Sequence, residues 1–406
     1  MDGLTNTKLR AAVYQPPIAK DKMAERNVND NPLRVLNEIT GVLQLASKCA
    51  IDVVQFPELF LSGGLFSDVV SGKSAPLDRE SYTLNIVGNL CADLSVACCM
   101  GYAESRHESE GQTQFPGCYS SIAFFHADGS RAGNYRCLHP PSQWAKKEGD
   151  NQIVFEKGHP LVEAIPISLL LPMQPESPTL QQSIKVQQVE SSTTTAEAKT
   201  KTPREVKVGA MCGGDLSVPE HARYLGRSGA EILVVSGSLI YDSGSRVAKH
   251  VIPARSMENE LPLLFSNYVD EESASSQSFF GQSAILSADG SELVRAPESS
   301  GGDMPSDGGY FLPCEMGGAL YAADLTIPAN NGKKAMGSID ASMKQWEITP
   351  RVDQLGGDKK RDTKVINGRN EKGFRKQQHR GKSKGFGREV MEVLEESKKK
   401  KLRLKK

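Results

Sequence analysis

The amino-acid sequence predicts a layered α/β protein with mixed sheets, and three observations carry that prediction. Short apolar runs alternate with segments of helical period along most of the chain. Some neighbouring runs are joined by tight-turn chemistry, so hairpins accompany the crossovers. No run reaches the roughly 18 apolar residues of a spanning helix, which sets a membrane span aside. The 406 residues allow two or three domains at roughly 100–200 each, or one large domain with appendages.

Each element has a local reason. LRAAVYQ (8–14) alternates and ends β-branched, as a strand does. From Pro32 to Cys49, Leu33, Val35, Leu36, Ile39, Val42, Leu43 and Leu45 fall on one helical face, and Pro32 suits a helix start. IDVVQF (51–56) is a buried-strand run stopped by Pro57. A helix over Arg79–Leu94 leads into the strand SVACCMGYAE. SSIAFFHADGSRAGNYR reads as a hairpin about Ala-Asp-Gly-Ser. VKVGAMC (206–212), EILVVSG, LPLLFSNY, GQSAILSADGSEL and ALYAADLT supply further strands. PEHARYLGRSGA is a helix ending at Gly229, and SRVAKHVIPARSMENEL is one that Pro253 must kink or interrupt.

Two segments break this pattern. PMQPESPTLQQSIKVQQVESSTTTAEAKTKTPRE, about 172–205, is rich in Gln, Ser, Thr, Glu and Pro, and reads as a disordered insertion. The formal net charge is zero, but from Arg351 onward 20 Lys/Arg face 8 Asp/Glu, while the first 350 residues carry 29 basic against 41 acidic. An acidic globule joined to a basic tail is a different object from a neutral protein. The expected organisation is a domain interrupted between 1–171 and 206–350 by the insertion, followed by a basic disordered tail over 351–406. The opening MDGLTNTKLR has no apolar h-region. Eight cysteines without a CxxC pair then read as reduced intracellular thiols, not as a disulfide framework or a zinc site.

Three places offer chemistry. Glu58, in QFPELFLSGG, stands just past a buried strand and a proline, at the strand's carboxyl end. Cys212 directly follows a strand and precedes Gly213 and Gly214, so a tight turn would present its thiol beside the Gly213 N–H, an oxyanion donor. In RAGNYRCLHPP, Tyr135, Arg136 and His139 surround Cys137. Taken one at a time these also read as an exposed loop carboxylate, a buried structural thiol and a surface histidine.

Their order is more specific. Glu after a strand, a YR…H segment, then Cys after a strand followed by PEHARYLGRSGAEILVVSGS resembles the nitrilase superfamily of carbon–nitrogen hydrolases. ARSMENE (254–260), Asn267 in LLFSNY, and FFGQSAILSADG (279–290) extend the resemblance over about residues 8 to 330. It implies a four-layer α-β-β-α sandwich, commonly paired through helices into dimers or larger homo-oligomers, and hydrolysis or transfer of acyl groups without metal or organic cofactor. Glu58 then matches the general base and Cys212 the nucleophile, while Glu148 in AKKEGDNQIVF is the best match for a supporting glutamate.

The resemblance also has two departures. Cys137 stands where the family has the lysine that stabilises the oxyanion. The segment Cys-Gly-Gly-Asp-Leu-Ser-Val-Pro-Glu is one residue longer than the common spacing, which puts the placement of Asp215 in question. Three readings stay open: an amidase in which another cation such as Lys146 or Lys147 substitutes, a pocket that binds a small amide without efficient turnover, and a scaffold. The absence of a tryptophan–glutamate pair after Cys212 favours amide or carbamoyl substrates over nitriles. A Cys137–Cys212 disulfide is a further option that needs Cα atoms roughly 4.4–6.8 Å apart.

Residues 356–406 form a second functional segment. Their positive surplus suits RNA or another polyanion with steep salt dependence, and KKKKLRLKK resembles a nuclear-localisation cluster. The expected location is cytoplasmic or, through this tail, nuclear.

Overall fold

The computed structural model describes residues 7–18, 32–106, 117–141, 154–159, 166–171, 204–270, 278–298, 309–315 and 317–327. These lie in the first of two units into which the chain divides, Met1–Ala341. The expected insertion falls outside the described residues except for its last two, Arg204 and Glu205, which open a strand. The basic tail, Glu148, Lys146 and Lys147 also lie outside them.

Two large sheets form the centre. The first runs, in order, Tyr310–Pro313, Ala319–Ile327, Thr7–Gln15, Val53–Gln55, Ala97–Ser105, Gly117–Phe125 and Arg131–Arg136, with Val154–Phe155 beside Gly117–Phe125. Thr7–Gln15, Val53–Gln55 and Ala97–Ser105 are mutually parallel, and the strands outside them pair antiparallel except for Val154–Phe155, which lies parallel to Gly117–Phe125. The second sheet runs Glu292–Arg295, Ala284–Leu286, Leu263–Ser266, Ile232–Ser236, Arg204–Cys212 and Ile167–Leu171. Its central three strands are parallel as well. Mixed sheets with hairpins at their flanks are what the sequence predicts.

The alternation of side chains makes four layers. Along Thr7–Gln15, Leu9, Ala11 and Val13 pack into the core shared with Val206, Val208, Val234 and Leu264 of the second sheet. Ala12 and Tyr14 point the other way, toward Val35, Ile39 and Leu43 of the helix Pro32–Lys48 and Leu84 and Val87 of the helix Tyr82–Leu94. The outer face of the second sheet is covered by Ala222 and Leu225 of Pro219–Arg227 and by Ala248 and Ile252. A strand buried on both faces carries apolar side chains on both, as Val53 and Val54 and the run Ile232, Leu233, Val234 and Val235 do. The result is the α-β-β-α sandwich.

Two helix boundaries differ from expectation for clear reasons. The helix expected from Arg79 starts at Tyr82, because Ser81 is extended and its hydroxyl accepts from the Leu84 N–H. Pro253 does not end its helix. Tyr241–Arg246 passes into a π-turn over Val247–Val251, and Ile252–Asn259 resumes with Pro253 in its first turn. The wider turn accommodates the missing N–H where proline costs least. Among the described residues no helix is long and apolar enough to cross a membrane.

Candidate active site

The carboxyl ends of Val53–Gln55, Arg204–Cys212 and the edge strand Arg131–Arg136 deliver Glu58, Cys212 and Cys137 to one place. The Glu58 carboxylate and the two sulfurs all lie within 4.8 Å of one another, though some 150 positions separate the first from the last in the chain. Cys137 and Cys212 are fully buried, and Glu58 is 3% exposed.

Glu58 is held by its backbone as much as by its side chain. Its N–H donates to the Gly237 carbonyl at 3.1 Å, and its own carbonyl accepts from the Tyr268 hydroxyl at 2.8 Å. The next residue, Leu59, has φ 56°, a left-handed conformation that a leucine adopts only when its surroundings impose it. Gly101 allows the close approach: a Cβ there would sit 2.0 Å from the Pro57 carbonyl oxygen. Across the sheets, Gln55 Nε2 donates to Ser236 Oγ at 2.6 Å, and Ser236 donates to the Phe56 carbonyl at 2.9 Å. The loop carrying Glu58 is thereby tied to both sheets.

Cys212 sits at the carboxyl end of Arg204–Cys212, where the chain enters the 3₁₀ turn Gly213–Ser217. Gly214 fits because a Cβ would fall 1.9 Å from the His139 carbonyl oxygen. Asp215 joins this turn to the Cys137 segment. Its carboxylate accepts from Cys212 N at 2.7 Å, Tyr135 Oη at 2.5 Å, His139 N at 2.9 Å and Leu138 N at 3.2 Å, and contacts His139 Nδ1 at 3.0 Å. Burial alone would raise the Asp215 pKa, but these donors and the nearby His221 hold it below the ordinary carboxylate range. Gly213 and Gly214 lead into the turn, and Asp215 clamps it.

The electrostatics of the three groups follow from their burial. Desolvation lifts Glu58 from 4.5 to about 8, opposed by hydrogen bonds from Ser120 and the Gly213 N–H and assisted by the Asp215 charge. Ser120 Oγ donates to Glu58 Oε1 at 2.6 Å and lies 3.8 Å from Cys212 Sγ. Burial pushes the Cys212 thiol up to about 12, eased by a hydrogen bond with Cys137 and reinforced by Glu58 and Asp215. Cys137 is raised well above its usual value, again mainly by burial. The Gly213 N–H, expected to face an oxyanion, is engaged by the Glu58 carboxylate in this state, because a buried carboxylate draws the nearest donor.

The cation nearest in sequence is directed elsewhere. Arg136 Nη2 pairs with Glu104 at 2.7 Å, and its guanidinium lies over the Tyr119 ring at 3.9 Å. Arg79 also reaches Glu104, at 2.9 Å. Arg255, in the ARSMENE segment, donates to the Leu216 carbonyl at 2.8 Å and braces the turn after Cys212. Asn267 binds the Leu239 N–H at 2.9 Å and the Gly281 carbonyl at 3.0 Å, holding the loops behind the site. Tyr135 and His139 touch Asp215.

Ser120 was not legible in the sequence. It lies inside the strand Gly117–Phe125, and only the pairing that sets Ser121 opposite Arg136 brings it to Glu58. The role of Asp215 as a clamp had a faint signal in its distance from Cys212, but its partners come from a segment some 80 positions earlier.

The model of the family described as carbon-nitrogen hydrolase matches residues 10–302. A Pseudomonas protegens protein named "Hydrolase in pqqF 5'region" is 24% identical over 297 residues, covering 71% of this chain and 79% of that one. The crystal structure of a carbon-nitrogen hydrolase from Helicobacter pylori G27 aligns with a TM-score of 0.52 at 17% identity, over 86% of this chain and 97% of that one. An amidase from Nesterenkonia sp. aligns with a TM-score of 0.48 at 15% identity, over 82% and 95%.

Proposed function

The chain belongs to the carbon–nitrogen hydrolase family, and from that premise we propose that it hydrolyses a small linear amide or carbamoyl compound through a thioester on Cys212. The observation that supports this reading most is the shared position of the Glu58 carboxylate and the Cys212 sulfur, within 4.8 Å and both in touch with the Ser120 hydroxyl. Glu58, in its ionised form above about pH 8, takes the thiol proton as sulfur attacks the carbonyl carbon. The amine leaves with that proton, and the acyl group stays on sulfur. Water, deprotonated by Glu58, then releases the acid and restores the thiol. A thiol held near 12 is silent until its base acts, so attack and proton transfer are coupled. Glu148 remains the proposed supporting glutamate.

The second reading is a catalytically impaired homologue that binds its ligand or serves as a scaffold. Cys137 favours it, since a neutral thiol eases the Cys212 pKa only through a hydrogen bond and carries no charge to stabilise an oxyanion as an ammonium does. The two readings separate in one experiment: a panel of small amides and carbamoyl compounds is offered to the wild type, to Cys212→Ala as blank, and to Cys137→Lys. The hydrolase reading expects turnover above the blank, rising on the order of 10²-fold in Cys137→Lys as the oxyanion gains a charged donor. Wild type and Cys137→Lys both at the blank level would leave the impaired homologue.

Two further parts of the proposal concern partners. Pairing of the domain into a homo-oligomer through outer helices is consistent with Tyr224 and Met257, large apolar side chains exposed on Pro219–Arg227 and Ile252–Asn259. The charge surplus of residues 356–406 supports binding of RNA or another polyanion and a nuclear location.

A further inference from the structure

We propose that Glu58, Cys137 and Cys212 form a binding site for a thiophilic divalent metal ion, of which Zn²⁺ is the biological representative. Two sulfurs and one carboxylate oxygen converge within 4.8 Å from three separate segments. Zn–S bonds of about 2.3 Å and Zn–O bonds of about 2.0–2.2 Å set tetrahedral ligand atoms roughly 3.5–3.8 Å apart, so closure needs only small side-chain rotations. The donor set is suited to such an ion, because thiolates select for borderline-soft metals and against Mg²⁺ or Ca²⁺.

The surroundings favour a cation. The strongest charged neighbours of the three groups are one another and the Asp215 carboxylate, all acidic. Glu58 is already oriented by Ser120 Oγ at 2.6 Å, the kind of outer hydrogen bond that fixes a ligating carboxylate. Binding displaces one proton from each thiol and, below about pH 8, the proton held by Glu58, and leaves two metal–sulfur bonds and one metal–oxygen bond, with a fourth position open. The neighbouring group His139, Asp215 and His221 is less suited, since the Asp215 oxygens already accept from Tyr135, Cys212, Leu138 and His139.

The site itself does not depend on turnover. One consequence rests on the hydrolase reading: a metal bound to Cys212 Sγ occupies the lone pair needed for attack, so the loaded chain is silent as a cysteine hydrolase and is released by a chelator.

The test uses the full-length chain, reduced and stripped with a chelator, then titrated with Co²⁺. One equivalent is expected to give a sulfur-to-cobalt charge-transfer band that Zn²⁺ displaces. Cys137→Ser and Cys212→Ala should each lose the band, and Glu58→Gln should weaken binding at least about 10-fold. Cys98→Ala should keep it, which matters because Cys91 and Cys98 form a second thiol contact at 3.5 Å. If Cys212→Ala fails to fold, the near-isosteric Cys137→Ser carries the test, its fold checked by thermal melting. Absence of saturable binding, a band retained in folded Cys137→Ser, or a band lost in Cys98→Ala would each overturn the site. Amide turnover measured with chelator present reports on the hydrolase reading separately: turnover without a metal band sinks only the metal site, and a metal band without turnover sinks only the hydrolase.

Discussion

Glu58 shows how one buried side chain carries both a chemical and a thermodynamic consequence. Its pKa is 4.5 in the exposed chain and about 8 in the fold, because burial penalises the ionised form. Between those values the folded chain holds a proton that the unfolded chain has released. Stability is therefore undiminished below about 4.5 and falls as pH rises toward 8, by an amount on the order of a few kcal/mol. Glu58→Gln removes the titration, so its melting temperature is expected to change less than that of the wild type between about pH 5 and about pH 8. Parallel melting curves for the two proteins across that range would contradict the assignment. The residue's position after a strand and a proline was legible in the sequence, and so was its carboxylate chemistry. Its raised pKa was not, because burial and the Asp215 charge come from distant segments.

Among the elements, the strand Ala97–Ser105 matters to the site without contributing a functional group to it. Gly101 lies where the Pro57–Glu58 backbone passes, and an added Cβ would meet the Pro57 oxygen at 2.0 Å and Glu58 Cα at 2.9 Å. Gly101→Ala must push that backbone away, at an overpacking cost of about 1–3 kcal/mol. The expected result is a lowered melting temperature and weaker amide turnover or metal binding, since the carboxylate moves with the loop. Unchanged melting would show that the loop yields without cost. Most strands and helices were legible in the sequence because apolar period reports burial directly, whereas the strands Ile167–Leu171 and Tyr310–Pro313 were not read. The π-turn over Val247–Val251 was not, since a proline-bearing helix can kink, stop or widen, and packing selects among these.

At the scale of the whole molecule, the charge divides between an acidic stretch of 350 residues and a basic segment from Arg351 onward. Truncation after residue 355 removes most of the positive surplus and is expected to abolish retention on heparin or RNA, while the melting temperature of the domain and any hydrolytic turnover persist. Retention that survives truncation would place polyanion binding on the domain instead. The sequence by itself determined the alternation of strands and helices, the family and the charge division, because these follow from local period, ordered motifs and composition. It also placed Cys137 where the resemblance puts a lysine. What only the tertiary structure decided is that this thiol touches Cys212, that Ser120 and Gly213 bind Glu58, and that Arg136 turns to Glu104. Those contacts join segments far apart in the chain. Only the stacking of two sheets, driven by the burial of their facing apolar residues, brings them within reach.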